Sequence, residues 1–282
     1  MPKISFLMSV YNSADTIDYS IRSLLNQNHK DFDLIIINDQ STDNTLDIIN
    51  NIEDKRIKLY NNPDKGLVNA LNYGLNICDC KYIARMDADD YSFPNRIHKQ
   101  EITLDNNKNL VGCGSNIIYF GKLNSISKLE LTVNQIRKNL IFRNPIANPT
   151  TFIRKSILDK NNLSYKKEYI YAEDYKFWCD LLKTGDFINL KEPLLKYRVH
   201  DKQISTKHRQ QQIETHTKIA QENLYFHGIN LTTDEIKYIL FNTNSCNSLK
   251  ILNTLLKLGM NKMLTLETSR VLIKSLINNF TH

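Results

Sequence analysis

Three carboxylates, Asp87, Asp89 and Asp90, fall within four residues in the stretch KYIARMDADDYSFPNR, Lys81 to Arg96. Carboxylates that close together repel one another, so either water screens them or a cation sits among them. A hard divalent cation takes carboxylate oxygens, and one carrying a substrate diphosphate needs only one or two from the protein. Asp87-x-Asp89, placed directly after an apolar run, supplies them on a rigid support. The same residues are also good turn and cap formers, so the motif alone leaves a solvated turn open.

The elements that must position these acids are readable from periodicity. ISFLMSV (Ile4 to Val10) is a short continuous apolar run, suited to a strand buried on both faces. A helix follows, capped near Ser13, with Ile17, Ile21, Leu24 and Leu25 on one face. FDLIIIND, IKLY and KYIARM read as further strands, separated by the helical patterns STDNTLDIINNI and GLVNALNYGLNIC. This alternation predicts an α/β fold, a mainly parallel sheet with helices on both faces. Ligands bind such sheets at the carboxyl ends of the strands, where Ser9, Tyr11, Asn12, Asn38, Asp39, Asp87 and Asp89 lie. Beyond Arg96 come a helix with Pro94 near its first turn, a strand LVGCGSNIIYF and a helix TVNQIRKNLIF. AEDYKFWCDLLKTG then reads as a helix with acids at its start and Gly185 after its end, followed by the strand FINLKEPLLKYRVH. Phe177 and Trp178 are expected in the core. From about Thr206 only helical patterns remain, with Leu255, Leu256, Leu258 and Met263 among lysines. QENLYFHG at 221–228 resembles a tag-cleavage scar, but it sits inside a helical pattern and reads as coincidence.

The bulk properties narrow the function. A net charge of +7, with a Lys-rich region from Lys191 onward, admits nucleic acid, an anionic membrane surface or a phosphorylated substrate as partner. No nucleic-acid-binding signature is present, so nucleic acid is not expected. Five cysteines without metal-type pairing read as reduced thiols of a cytoplasmic protein. No apolar run reaches the about 18 residues of a transmembrane span, and the N-terminus lacks the pattern of a signal peptide.

Four blocks, SVYNSADTIDYSIRSLLNQNHKDFDLIIINDQSTDNT, NPDKGLVNALNYGLN, YIARMDADDYSFPNR and YAEDYKFW, resemble in order the family 2 glycosyltransferases. These are inverting enzymes of the GT-A fold that use nucleotide-diphosphate sugars. The resemblance runs from Lys3 to about Ser205. It implies a GT-A domain over 1–205, with a nucleotide-sugar half (about 1–105) and an acceptor half (about 106–205). Residues 206–282 are left as a helical extension. By the same resemblance Ser9, Val10, Tyr11 and Asn12 contact the nucleotide, and Asp39 accepts a hydrogen bond from a uracil ring. Asn38 stands where the family carries an aspartate. Lys65 is a basic contact to the nucleotide, or a solvated loop lysine. Asp89 is implied as the ligand of Mn²⁺ or Mg²⁺, with Asp87 and Ala88 on the nucleotide-sugar side and Asp90 supporting the loop. Inversion needs a base for the acceptor hydroxyl; Asp174 is implied, with Glu173 beside it. YRVHDKQIS resembles the segment that closes over the pyrophosphate, giving Arg198 to phosphate and His200 to the metal or diphosphate. Asn148 replaces a histidine that relatives often carry near the acceptor, while His98, His208 and His216 read as structural.

The expected function is therefore transfer of a sugar from a UDP-sugar to a glycan or lipid-linked acceptor in bacterial surface-polysaccharide synthesis. The basic tail either docks on an anionic membrane, where a lipid-linked acceptor would be found, or packs against the catalytic domain or a second copy. The non-enzymatic alternative is a sugar-nucleotide-binding scaffold on the same fold. A sugar-nucleotide pyrophosphorylase would want a Gly-rich loop after the first strand, which SVYNSAD is not.

Overall fold

A computed structural model describes residues 3–129, 131–200 and 208–241, together with Asn253 and Leu256. Strands β1 (Ile4–Val10), β2 (Phe32–Asn38), β3 (Ile57–Asn61) and β4 (Tyr82–Asp87) pair in parallel in the order β3-β2-β1-β4. Alternation along β1 explains why its run is apolar throughout. Phe6 and Met8 pack on one face with Ile17, Ile21 and Leu24 of α1 (Ile17–Leu25) and Ile97 and Leu104 of α4 (Arg96–Asn106). Leu7 packs on the other with Leu71 and Leu75 of α3 (Leu67–Ile77). Helix α2 (Thr45–Asn50) adds Ile49 to the first face. Helices on both faces are thus as the alternation requires.

The sheet continues as β4-β8-β6-β9-β5, with β7 (Ser125–Ile126) on β6 (Leu110–Gly121). Here it is mixed. Strand β8 (Phe152–Arg154) runs antiparallel to β4 and β6, β9 (Asp186–Val199) parallel to β6, and β5 (Tyr91–Ser92) antiparallel to β9. The mainly parallel reading therefore holds, since β6 and β9 are parallel as well, and the antiparallel insertion of β8 joins the two halves. Register shifts between β6 and β9 around Ser115–Ile117 bend the pair. That bend carries the end of β9 back to β5, where Lys196 lies opposite Tyr91, one residue past the acidic cluster. Arg198 and His200 arrive at the acids in this way.

Two local expectations are corrected. Ser13 does not cap α1 with its hydroxyl; its carbonyl accepts from the N–H groups of Thr16 and Ile17 at 3.0 and 2.9 Å, and the helix begins at Ile17. Gly185 is not a left-handed C-cap. It is small because a Cβ there would stand 2.3 Å from Val111 Cγ1.

Helices α5 (Val133–Asn139), α6 (Lys155–Lys160) and α7 (Glu173–Leu181) complete the acceptor half. Beyond it, α8 (Arg209–Phe226) and α9 (Thr233–Phe241) enclose a smaller core with Ile141 and Phe142. Ile219 of α8 also joins the main core. Leu224, inside the tag-like octapeptide, is fully buried. The boundary at 205/206 and the pattern through Leu255, Leu258 and Met263 lie outside the described residues. Cys78, Cys80, Cys113 and Cys179 are unpaired thiols. Among the described residues no helix is long and apolar enough to cross a membrane.

Trp178 and Phe177 are core, as read, with rings 5.1 Å apart and edge to face; Trp178 also meets Phe187. Trp178→Ala should therefore cost about 3–5 kcal/mol. Urea unfolding checks this, and a loss under about 1 kcal/mol would contradict the packing.

Candidate active site

The parallel register aligns the strand ends. Ser9 lies between Ile37 and Asp87, and Val10 lies opposite Asn38. Past β1 the chain turns through Asn12 at φ 47°, a left-handed conformation that asparagine tolerates. The Asn12 N–H donates to Ser41 Oγ at 3.1 Å, and its Oδ1 accepts from Thr42 N at 2.8 Å. Asn38 explains its own departure from the acidic pattern. Its Nδ2 donates to Asn61 Oδ1 at 2.9 Å while its Oδ1 accepts from Ser41 N at 3.1 Å. An amide does both; a carboxylate cannot donate. Asp39 is buried, its Oδ1 accepting from Asn62 Nδ2 (2.7 Å) and Gly66 N (2.8 Å). Gly66, at φ 118°, holds a backbone that a side chain would strain. Tyr11 is about half exposed, with Lys65 Nζ 5.4 Å from its ring centroid. The residues expected to read the nucleotide thus share one rim. Asn62 and Gly66, which brace Asp39, had no sequence signal beyond loop chemistry.

Each acid of the cluster has its own counterpart. Asp87 Oδ1 accepts from Arg85 Nη2 at 2.7 Å. Asp89 Oδ2 lies 3.0 Å from His200 Nε2, a contact across 111 residues of sequence. Asp90 is fully buried, and its Oδ1 accepts from the Arg198 main-chain N–H at 2.9 Å. Arg198 Nε donates to the Asp89 carbonyl at 2.9 Å, and its guanidinium spans Phe120 and Tyr19. Ser20 Oγ lies 2.8 Å from the carbonyls of Ala88 and Asp90. Burial, then the Asp87 charge, pushes the Asp89 carboxyl above its ordinary range. Burial raises Asp90 further, with Asp87 and Asp89 adding to it.

On the acceptor side, Asp174 Oδ2 accepts from Asn144 Nδ2 at 2.9 Å and Oδ1 from Tyr175 N at 2.7 Å. Burial holds Asp174 at about 6; it holds Glu173 at about 7, where the Asp174 charge contributes. The Asp87 charge raises Asp174 and the Arg85 charge lowers it, so the strand end and the acid pair act on one another electrostatically. Helix α8 secures the loop in front of this pair. Thr215 Oγ1 donates to the Ile170 carbonyl and Gln212 Nε2 to that of Tyr171, both at 3.0 Å. His208 stacks on Tyr171 at 4.2 Å, and Tyr171 itself holds φ 69°. Glu222 accepts from Tyr169 Oη at 2.7 Å and pairs with Lys176 at 3.0 Å. His216, kept below its ordinary pKa by burial, contacts the Phe142 carbonyl. Asn148 opens a short 3-10 turn, and its buried Oδ1 has no hydrogen-bond partner among the described residues. Arg85, Asn144 and the α8 residues were not read from the sequence as parts of the site.

The model of the family described as "Glycosyl transferase family 2" matches residues 5–171. A protein described as an uncharacterized glycosyltransferase of Haemophilus influenzae is 37% identical over 264 residues, covering 89% of this chain and 80% of that one. The O-antigen biosynthesis glycosyltransferase WbnJ of Escherichia coli is 36% identical over 209 residues, covering 71% of this chain and 80% of its own. Among solved structures, S. aureus TarS 1–349 in complex with UDP-GlcNAc superposes with a TM-score of 0.66 at 18% identity, covering 97% of this chain and 79% of that one. The fold is thus of the GT-A type. The matched span contains the rim residues and the acids at the end of β4 and stops at Tyr171, two residues before Glu173; with relatives of more than 35% identity matched over four fifths of their length, the chain belongs to glycosyl transferase family 2.

Proposed function

We infer that this glycosyltransferase is an inverting, metal-dependent enzyme that moves a hexosyl or N-acetylhexosaminyl group from a UDP-sugar to a glycan or lipid-linked acceptor in surface-polysaccharide, capsule or lipopolysaccharide synthesis. The observation that carries the reading is the convergence of Asp89 Oδ2 and His200 Nε2 at 3.0 Å, from the ends of two strands on opposite sides of the sheet's seam. One carboxylate oxygen and one imidazole nitrogen form a donor set suited to Mn²⁺, and to Mg²⁺ with additional water. When bound, the divalent cation supplies Lewis-acid stabilisation of a leaving diphosphate. The UDP-GlcNAc complex of TarS and the O-antigen role of WbnJ support the donor and pathway class.

The chain's own residues divide the remaining work. Among the described residues Asp39 Oδ2 accepts no hydrogen bond, which leaves it to the N–H of a uracil ring. Tyr11 and Lys65 offer an aromatic face and a cation at the same rim. Asp87 and Ala88 continue this surface toward the ribose and sugar, and Arg198 anchors the pyrophosphate side. Asp174 removes the acceptor proton, with Glu173 beside it. Burial that raises both acids makes each a stronger base once it is ionised. Asp174 must lose its own proton before it can take one from the acceptor. Activity should therefore rise with pH through about 6 and level off above. We place the protein in the cytoplasm, with its basic C-terminal part in peripheral contact with anionic lipid.

Purified protein assayed with a panel of UDP-sugars and glycan or lipid-linked acceptors should transfer sugar with inverted anomeric configuration, and Asp174→Asn should lower kcat by about a thousandfold. UDP binding with no transfer, unaltered by that substitution, would favour a scaffold instead. In flotation assays the protein should rise with anionic vesicles at low salt and separate from them at high salt. Absence of binding at either salt would remove the membrane contact.

A further inference from the structure

Arg85 lies two residues before Asp87 on β4, so both side chains project from the same face of the sheet. The arginine is 2% exposed. It is held rigidly. Nη1 donates to the carbonyls of Leu7 (2.9 Å) and Met86 (2.7 Å), and Nη2 to Asp87 Oδ1 at 2.7 Å. Its main chain is pinned as well, by an N–H to the Thr151 carbonyl (2.9 Å) and by Arg96 Nη2 on its own carbonyl (2.7 Å). Nε is buried and makes no hydrogen bond among the described residues.

The same guanidinium acts on the acceptor side. Both Glu173 and Asp174 on α7 feel its charge as a stabilising influence on their ionised forms. Among the described residues, the other groups whose charge or hydrogen bond acts on Asp174 are Glu173 on its own helix, Asp87 from β4, Tyr165 ahead of α7, Tyr197 from β9 and the neutral Asn144 amide. Of these charged groups only Arg85 is positive. Surface lysines replace such a charge poorly, because a fixed guanidinium fork meets carboxylate and carbonyls at once.

We propose that Arg85 is a positioning residue of the transfer reaction, one immobilised cation that fixes Asp87 on the donor side and supplies the positive charge opposite Asp174 on the acceptor side. The proposal rests on the reading of this site as a sugar transferase. It assigns to the apolar-looking segment KYIARM a chemical task that its strand pattern conceals.

The test is initial-rate kinetics of wild type, Arg85→Gln and Arg85→Lys from pH 5 to 9, with circular dichroism and UDP titration of each. Arg85→Gln should lose about a hundredfold in kcat at pH 7, and the acid limb of its kcat/KM profile should move upward by about one pH unit. Arg85→Lys keeps the charge but not the fork; its limb should stay at the wild-type position while kcat falls by about tenfold. A role in folding alone would lower the active fraction without moving the limb. Should Arg85→Gln fail to fold, Arg85→Lys decides. A displaced limb, or a kcat equal to wild type, in the lysine variant overturns the proposal. So does a well-folded Arg85→Gln with wild-type rate and profile. A wild type that transfers no sugar would instead overturn the function itself, before either variant is compared.

Discussion

Carboxylates crowded into a partly buried site repel one another in a medium that screens poorly, and the arrangement of this molecule follows from how that repulsion is met. Asp87, Asp89, Asp90, Glu173 and Asp174 come from one strand end and one helix start, and their charges act on one another. Each is answered differently. Arg85 pairs with Asp87, His200 with Asp89, and the Arg198 main chain serves the buried Asp90. Asp174 receives only neutral donors, from Asn144 and Tyr175, and so keeps a raised proton affinity. The acid proposed to bind a cation, Asp89, is thus the one beside an imidazole. The acid proposed to move a proton, Asp174, accepts from amide N–H groups.

The mixed sheet makes this division possible. Four parallel strands set the nucleotide rim with the regular offset of their ends, and the antiparallel β8 then turns the chain so that β6 and β9 run beside it. Because β9 is long and bent, one strand starts behind α7 and ends at the acids of β4. Helix α8 closes the arrangement from outside, gripping Tyr169, Ile170 and Tyr171 just before the base. The C-terminal helix is therefore joined to the acceptor side by specific polar contacts as well as by Ile219 in the core.

Much of this was legible in the sequence, and the remainder has physical reasons for being hidden. Continuous apolar runs identified β1, β2 and β4, because a strand buried on both faces has no alternative composition. The aspartates at their ends stood out by charge. Strands β5, β7 and β8, of two or three residues each, are too short to show a period, so the antiparallel half was not visible. Arg85 was hidden for the opposite reason: one charged residue inside an otherwise apolar strand reads as an interruption, and only its partners give it meaning. Asn38 looked like a loss when set against an acidic pair, yet its amide is used in full, donating to Asn61 and accepting from Ser41. Gly185 suggested a helix stop by position, whereas its smallness serves the approach of Val111.

The central claim is that Asp89 and His200 hold a divalent cation for a nucleotide diphosphate. Calorimetric titration of the protein with UDP, with and without Mn²⁺ and repeated on Asp89→Ala, addresses it most directly. The account predicts that Mn²⁺ strengthens UDP binding by at least about tenfold and that Asp89→Ala removes this gain. Equal UDP affinity with and without the metal, or a gain that survives in Asp89→Ala, would contradict it.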